Sequence, residues 1–202
     1  LSWYMATYAL LTCEAHDAAR TTIEEALADG HRRGSVFARA GALGCRAVLA
    51  LNEGRPRDAE ADARTAAQGA IPPTLVPVNT SYVALALVDQ GDHELALAEL
   101  EAGGLEHFDG PTVMRWVTWT RARVAEAAGD PDAVRAAVQG LQADDDAGQP
   151  MRALAWRALL ARVLARHGDE PEQARELADR HLSWAQGWGR PCALGVAQRA
   201  AA

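Results

Sequence analysis

The sequence contains no lysine, so its 20 basic residues are all arginine. This excludes chemistry that needs a lysine amine within these residues: a Walker lysine, a Schiff base or a Ser-x-x-Lys pair. Cysteine is also scarce, since Cys13, Cys45 and Cys192 lie far apart and form no Cys-x-x-Cys pair. Neither a disulfide framework nor a structural zinc site is indicated.

Long apolar runs are missing too. No segment approaches the roughly 20 apolar residues that a membrane helix needs, and no basic region leads into an apolar run and a cleavage site. The formal net charge is −7, whereas a surface that binds a phosphate backbone is basic. These features predict a cytoplasmic protein with no membrane contact and no direct nucleic-acid partner.

The residues that are abundant favour helix. Alanine, leucine, arginine and glutamate dominate, and isoleucine occurs only at Ile23 and Ile71. Five short breaks separate an Ala-rich apolar segment from one that opens with acidic residues; they fall near Cys13, Gly54, Gly91, Gly129 and Gly168. The breaks are 41, 37, 38 and 39 residues apart, which is the spacing of two-helix repeats.

Each break predicts a tight turn between two helices. Gly91 can end a helix in a left-handed conformation, Asp92 can cap the next one, and Pro131 suits a first helical turn. Small or apolar residues stand seven and four positions before the breaks, where paired helices would approach; they are Ala6, Ala47, Ala84, Ala122 and Ala161, and Ala9, Ala50, Leu87, Ala125 and Leu164. The predicted helices are 2–13, 16–32, 35–52, 57–69, 76–90, 93–102, 112–128, 131–143, 150–167, 171–187 and 191–202.

These patterns predict an all-α fold, a TPR-like α-α superhelix: a right-handed solenoid of about five antiparallel helix pairs plus a final helix. We expect a single domain over residues 1–202, with pairs near 1–33, 34–70, 74–103, 110–143 and 149–187 and an extra helix at 190–202. The absence of an initiating methionine and the helical character of the last residues predict a fragment of a longer protein.

The Gly-Asp breaks and the small alanine positions resemble tetratricopeptide repeats, although the period exceeds the usual 34 residues and most hallmark Trp, Tyr and Pro positions are missing. A more specific resemblance lies in residues 154–202. Its segments are Ala161-Arg-Val-Leu-Ala-Arg-His-Gly-Asp169, Gln173-Ala-Arg-Glu-Leu-Ala178 and Trp188-Gly-Arg-Pro-Cys-Ala-Leu-Gly195. They resemble the helical region of large ATP-dependent LuxR-family transcriptional regulators of the MalT-like, STAND type, with weaker similarity back to about Tyr82.

In that family an NTPase domain precedes the repeats, a helix-turn-helix follows them, and the repeats sense an inducer. The resemblance implies that this chain is the ligand-sensing or protein-interaction segment, which would relay binding to those flanking domains. It implies no cofactor here, with ATP held only by the separate NTPase domain. The alternative is a free-standing TPR scaffold that binds a peptide or protein. We expect no enzyme activity, because the sequence offers no cluster of ionisable groups above background.

The candidate site is one stripe of the predicted helix 112–128. Trp116, Trp119, Arg123 and Glu126 are spaced 3, 4 and 3 residues apart, so they share a helical face. If that face lines the concave groove, it could bind a small-molecule inducer, such as a sugar, aromatic or anionic compound, or a peptide; Arg162 and Arg166 would extend it. The competing interpretation is that both tryptophans are core and that the arginines form a solvated face.

Other conspicuous residues have simpler interpretations. Trp184 and Trp188 are expected to contact a following repeat or a second copy, which allows a homodimer through exposed solenoid ends. Asp144, Asp145 and Asp146 lack the ligand spacing of a calcium loop and predict a solvated turn. His93-Glu94 lacks the second histidine of a metalloprotease motif. No metal site is predicted.

Overall fold

A computed structural model of the chain describes residues 2–68, 71, 73–105, 115–147, 154–168 and 170–202. The prediction of an all-α fold is confirmed, because the described elements are eleven α-helices and one short 3-10 turn, Pro73–Leu75. In chain order the helices are α1 Ser2–Thr12, α2 His16–Arg32, α3 Val36–Asn52, α4 Pro56–Ala67, α5 Val76–Gln90, α6 His93–Ala102, α7 Arg115–Ala128, α8 Pro131–Asp146, α9 Trp156–His167, α10 Pro171–Trp188 and α11 Pro191–Ala201. None of these helices is long and apolar enough to cross a bilayer.

The chain forms two compact units, residues 1–107 and 108–202. The first contains α1 to α6 and the second α7 to α11. Within each unit every helix packs against the next one, and each odd-numbered helix also packs against the following odd-numbered helix: α1, α3 and α5 in the first unit, and α7, α9 and α11 in the second. The single domain and the repeat boundaries proposed from the sequence stay predictions.

The central odd-numbered helices α3, α5 and α9 are buried over more of their surface than the even-numbered helices. Helix α3 contacts α1, α2, α4 and α5, and most of its residues between Ala40 and Ala50 are buried. Helix α8 buries one stripe, formed by Val134, Ala137, Val138 and Leu141. That spacing is the apolar face of an amphipathic helix that packs on one side. Central odd helices and outer even helices therefore form each core.

The turns agree with the predicted breaks at the glycines. Gly54, Gly91, Gly129 and Gly168 all have φ between 69° and 90°. At Gly91 this conformation lets the next amide, of Asp92, donate to the Leu87 carbonyl at 2.9 Å, which satisfies the end of α5.

The cap predictions have mixed outcomes. Pro131 occupies the first turn of α8, as predicted, and the Asp130 carboxylate accepts a hydrogen bond from the Ala133 amide at 2.9 Å. Asp92 makes no side-chain capping bond, so the prediction for that residue is wrong. Its ψ of 59° departs from the extended backbone of Asp130, at 95°, in which the capping side chain reaches the first turn.

The first break lies one residue later than predicted. Its left-handed residue is Glu14, with φ 56°, rather than Cys13. Counting back seven from Glu14 reaches Thr7, which is fully buried, whereas Ala6 and Ala9 are exposed. The alanine register therefore holds at Ala47, Ala84, Ala122 and Ala161, which are all buried, and is wrong for the first helix pair. The Thr7 hydroxyl donates to the Trp3 carbonyl at 2.8 Å, so the buried position carries a satisfied polar group.

The end of α8 and the start of α9 also differ from prediction. Helix α8 continues to Asp146 instead of ending near residue 143, and α9 begins at Trp156, after Leu154 and Ala155. The predicted helical residues 112–114 and 150–153 lie outside the described residues.

Candidate functional site

The predicted stripe on α7 lies at the edge of the core. Trp116, Trp119, Arg123 and Glu126 are all half-buried, whereas Ala122 and Val124 of the same helix are fully buried. Both indoles pack against a core cluster built by α7, α8, α9 and α10. Neither interpretation made from the sequence is complete: each tryptophan contributes to the core and also keeps part of its surface exposed.

Trp119 and Arg123 form a cation–aromatic pair on this edge. The Arg123 guanidinium carbon lies 5.9 Å from the centroid of the Trp119 ring, which is within the range of an attractive contact. The two residues are one helical turn apart on α7, so the helix itself sets their relative position. The pair presents an aromatic surface and a cation at one place.

Glu126 joins this pair to the next odd helix. Arg162 of α9 donates from Nη2 to Glu126 Oε1 at 2.7 Å and to Oε2 at 3.0 Å. Arg123 Nε lies 3.7 Å from Glu126 Oε2. The structure thus brings together Trp119, Arg123, Glu126 and Arg162, which the sequence had placed on two helices. We call these four residues the α7–α9 array.

The array has more positive than negative charge. Its four residues include two guanidinium groups and one carboxylate: Glu126 is 12% exposed, and Arg123 and Arg162 are 29% and 25% exposed. Arg166 lies one turn beyond Arg162 on α9, is exposed, and makes no ion pair with the described residues. It would add a third cation to this face. Such an arrangement suits an anionic group beside an aromatic or apolar body.

The prediction of a solvated turn is wrong for Asp144 and Asp145. Asp144 accepts two hydrogen bonds from Arg115, at 2.6 and 3.2 Å, and both side chains are 12% exposed. Asp145 pairs with the largely buried Arg157 of α9. These residues belong to the last turn of α8 rather than to a solvated turn. The signal was present, because Asp144 and Asp145 follow Leu141 by 3 and 4 residues and so continue its buried stripe.

His181 of α10 is a second buried polar residue that the sequence did not indicate. It is 2% exposed, it occupies the inward stripe of α10 with Ala178 and Ala185, and its Nε2 atom has no hydrogen-bond partner among the described residues. Burial, and then the positive charges of Arg157 and Arg162, lower its pKa from 6.5 to about 4. The histidine is therefore neutral at neutral pH.

The two tryptophans of α10 continue from His181 along the helix. The ring of Trp184 lies 5.2 Å from His181 and 4.8 Å from Trp188, centroid to centroid, and both indoles are half-buried. Within the described residues, no three side chains of the His, Cys, Asp and Glu types are grouped to hold a metal ion.

No known protein family, curated protein or solved structure matches this chain.

Proposed function

We propose that this chain is a ligand-sensing and protein-interaction segment of a larger transcriptional regulator of the LuxR, MalT-like type. The finer description of its fold as a TPR-like superhelix is part of the same proposal. The regulator role rests on the resemblance of residues 154–202, above all 188–195, to the helical region of that family. A free-standing TPR-like scaffold for a peptide or protein remains the second candidate, supported by helices that pair with their neighbours in both units.

The observation that carries the sensing role is the α7–α9 array. A ligand that offers an anionic group to Arg123 and Arg162 and an aromatic or apolar body to Trp119 would contact three of the four residues of the array. It would compete with Glu126 for Arg162, which is the ion pair that joins α7 to α9. Binding would thereby change how these two helices are held together, and a flanking domain could respond to that change.

The test of binding is a thermal-shift screen of the purified chain against anionic sugars, aromatic carboxylates and peptides. Binding to the native protein raises the melting temperature. We expect a compound that stabilises the wild-type chain but not Arg123→Met. The control is Arg175→Met, which removes an exposed arginine of α10 in the same unit. Equal stabilisation of both variants would reject the array as the binding site.

Trp119→Leu is the better variant for the aromatic contribution. The indole packs against the core cluster, so Trp119→Ala would also remove core packing.

Two further results would separate the candidate functions. If only peptides raise the melting temperature, the scaffold is favoured. Sequencing the gene on both sides tests the regulator role: it requires a phosphate-binding loop upstream and a helix-turn-helix downstream.

A further inference from the structure

Arg39 of α3 is half-buried and makes no ion pair with the described residues. Six described arginines make no ion pair, side-chain hydrogen bond or ring contact with the described residues: Arg39, Arg57, Arg166, Arg175, Arg190 and Arg199. Five of them are exposed, whereas Arg39 is half-buried. An arginine can bury its aliphatic stem while its charged end stays in contact with water. The Arg39 guanidinium, which has no ion pair among the described residues, is therefore available to an anion from outside the chain.

The stem of Arg39 is fixed by a close approach of two helices. Gly30 of α2 is buried, and a methyl group at its α-carbon would lie 2.9 Å from Arg39 Cγ. The aliphatic part of Arg39 therefore crosses α2 at the one place where the neighbouring residue has no side chain. This contact limits the conformations of the stem, and Arg39 is one of the residues that line a cleft between α2, α3 and α4.

The cleft is lined by apolar and polar side chains in about equal share. Leu27, Val36, Leu43 and Ile71 supply its larger apolar side chains, and the volume is about 370 Å³. This volume lies in the lower part of the range for small-molecule sites.

Three other polar side chains of the cleft have polar contacts within the chain. Arg46 binds both oxygens of Asp62, at 2.7 and 2.6 Å, so its charge is neutralised. The Thr65 hydroxyl donates to the Ala61 carbonyl at 2.7 Å, and the His31 ring nitrogen Nδ1 lies 2.8 Å from the Leu27 carbonyl. Among the described residues, Arg39 has no carboxylate partner in the cleft.

The charge of the first unit limits the size of the anion. Residues 1–107 contain 15 acidic residues and 8 arginines, so a long acidic partner would meet net repulsion. A single carboxylate in contact with Arg39 is governed by that contact, since more distant surface charges are screened beyond about 10 Å.

We propose that the cleft between α2, α3 and α4 is a second binding site, which takes a small aliphatic monocarboxylic acid. The carboxylate pairs with the Arg39 guanidinium, and the aliphatic body lies against Leu27, Val36, Leu43 and Ile71. This site lies within the first unit and does not depend on the role proposed for the α7–α9 array.

The experiment titrates the chain with straight and branched monocarboxylates from propionate to octanoate, followed by the NMR signals of backbone amides and arginine Nε–H groups. We expect saturable shifts at Arg39 and at residues of the cleft for at least one acid. Its uncharged amide should bind at least about tenfold more weakly, because a charge-assisted hydrogen bond contributes on this scale.

Two matched variants remove the same charge at different places. Arg39→Met keeps the stem and should weaken binding of that acid at least about tenfold. Arg57→Met removes an exposed arginine of α4 that has no ion pair with the described residues, and it should leave the affinity unchanged. The proposal is overturned if no acid of the series gives a saturable shift, if acid and amide bind equally, or if both variants lose affinity to the same extent.

Discussion

Arg162 of α9 donates hydrogen bonds to both carboxylate oxygens of Glu126 on α7, with Nη2–O distances of 2.7 and 3.0 Å. The pair joins two helices that the sequence separates by 36 residues. With side chains 25% and 12% exposed, it lies between a solvated surface pair and a buried one. It therefore offers a direct measure of how strongly the odd-numbered helices of the second unit are held together.

A double-mutant cycle with Glu126→Gln and Arg162→Met should give a coupling free energy of about 1 kcal/mol in urea unfolding. The control is the pair Glu176–Arg180 on α10, whose side chains are 70% and 60% exposed at 3.7 Å. Its coupling should be no more than about 0.3 kcal/mol, because both charges are solvated. Equal couplings for the two pairs would contradict the assigned difference in burial.

His181 predicts a pH dependence of stability. Its pKa is lowered from 6.5 to about 4 in the folded chain, so the unfolded state binds the proton first as the pH falls. The free energy of unfolding should be constant with respect to this group above about pH 6.5. It should fall by up to about 3 kcal/mol towards pH 4.

The measurement is urea unfolding at several pH values for wild type and His181→Leu. The difference in free energy between the two should vary over this pH range, whatever the overall stability of the variant. His167→Gln replaces an exposed histidine of the same unit and should keep the wild-type profile. A parallel profile for wild type and His181→Leu would show that His181 binds protons equally in both states.

The positions of the helices follow largely from the sequence. Helix α5 begins and ends at the predicted residues, 76 and 90, because a break with Gly91 stops an Ala-rich and Leu-rich segment. The first break was misplaced because Glu14 adopts the left-handed conformation without the glycine that usually signals it. A local pattern predicts a helix end when the residue type itself favours the turn.

The polar groups of the interior are less predictable. The stripe on α7 was identified from its spacing, yet its attachment to α9 through Arg162 depends on how the two helices pack. The same holds for Arg39, which pairs with no carboxylate of the described residues because of how the helices assemble and not because of its neighbours in the sequence. Helix periodicity places a side chain on a face, and tertiary packing determines what it meets there.

Cys45 should report on unfolding of the first unit. It is fully buried, and burial raises the pKa of its thiol to about 12, so very little reactive thiolate forms in the folded state. We expect iodoacetamide at neutral pH to modify the exposed Cys192 readily and to modify Cys45 only as urea unfolds the unit. Mass spectrometry of the digested protein, with Cys192→Ser as control, separates the two sites. Comparable labelling of both cysteines in native buffer would show that Cys45 is accessible.

Gly44 on α3 should be hard to replace. An added methyl group would lie 2.9 Å from Asn79 Oδ1 and 3.6 Å from the Tyr82 ring, and both residues are buried on α5. Gly44→Ala should destabilise the chain by about 1–3 kcal/mol, since a packed interior accommodates the extra methyl only by shifting its neighbours.

Gly187 on α10 provides the matched control, because an added methyl group there would have no atom within 4 Å outside its own helix. Gly187→Ala should stabilise the chain by about 0.5–1 kcal/mol, as alanine restricts the unfolded state and favours helix. Asn79→Ala should remove the obstacle, so Gly44→Ala should cost less in that background than in the wild type. Urea unfolding of the four variants tests both effects. An equal cost of Gly44→Ala in the two backgrounds would show that Asn79 is not what the methyl group meets.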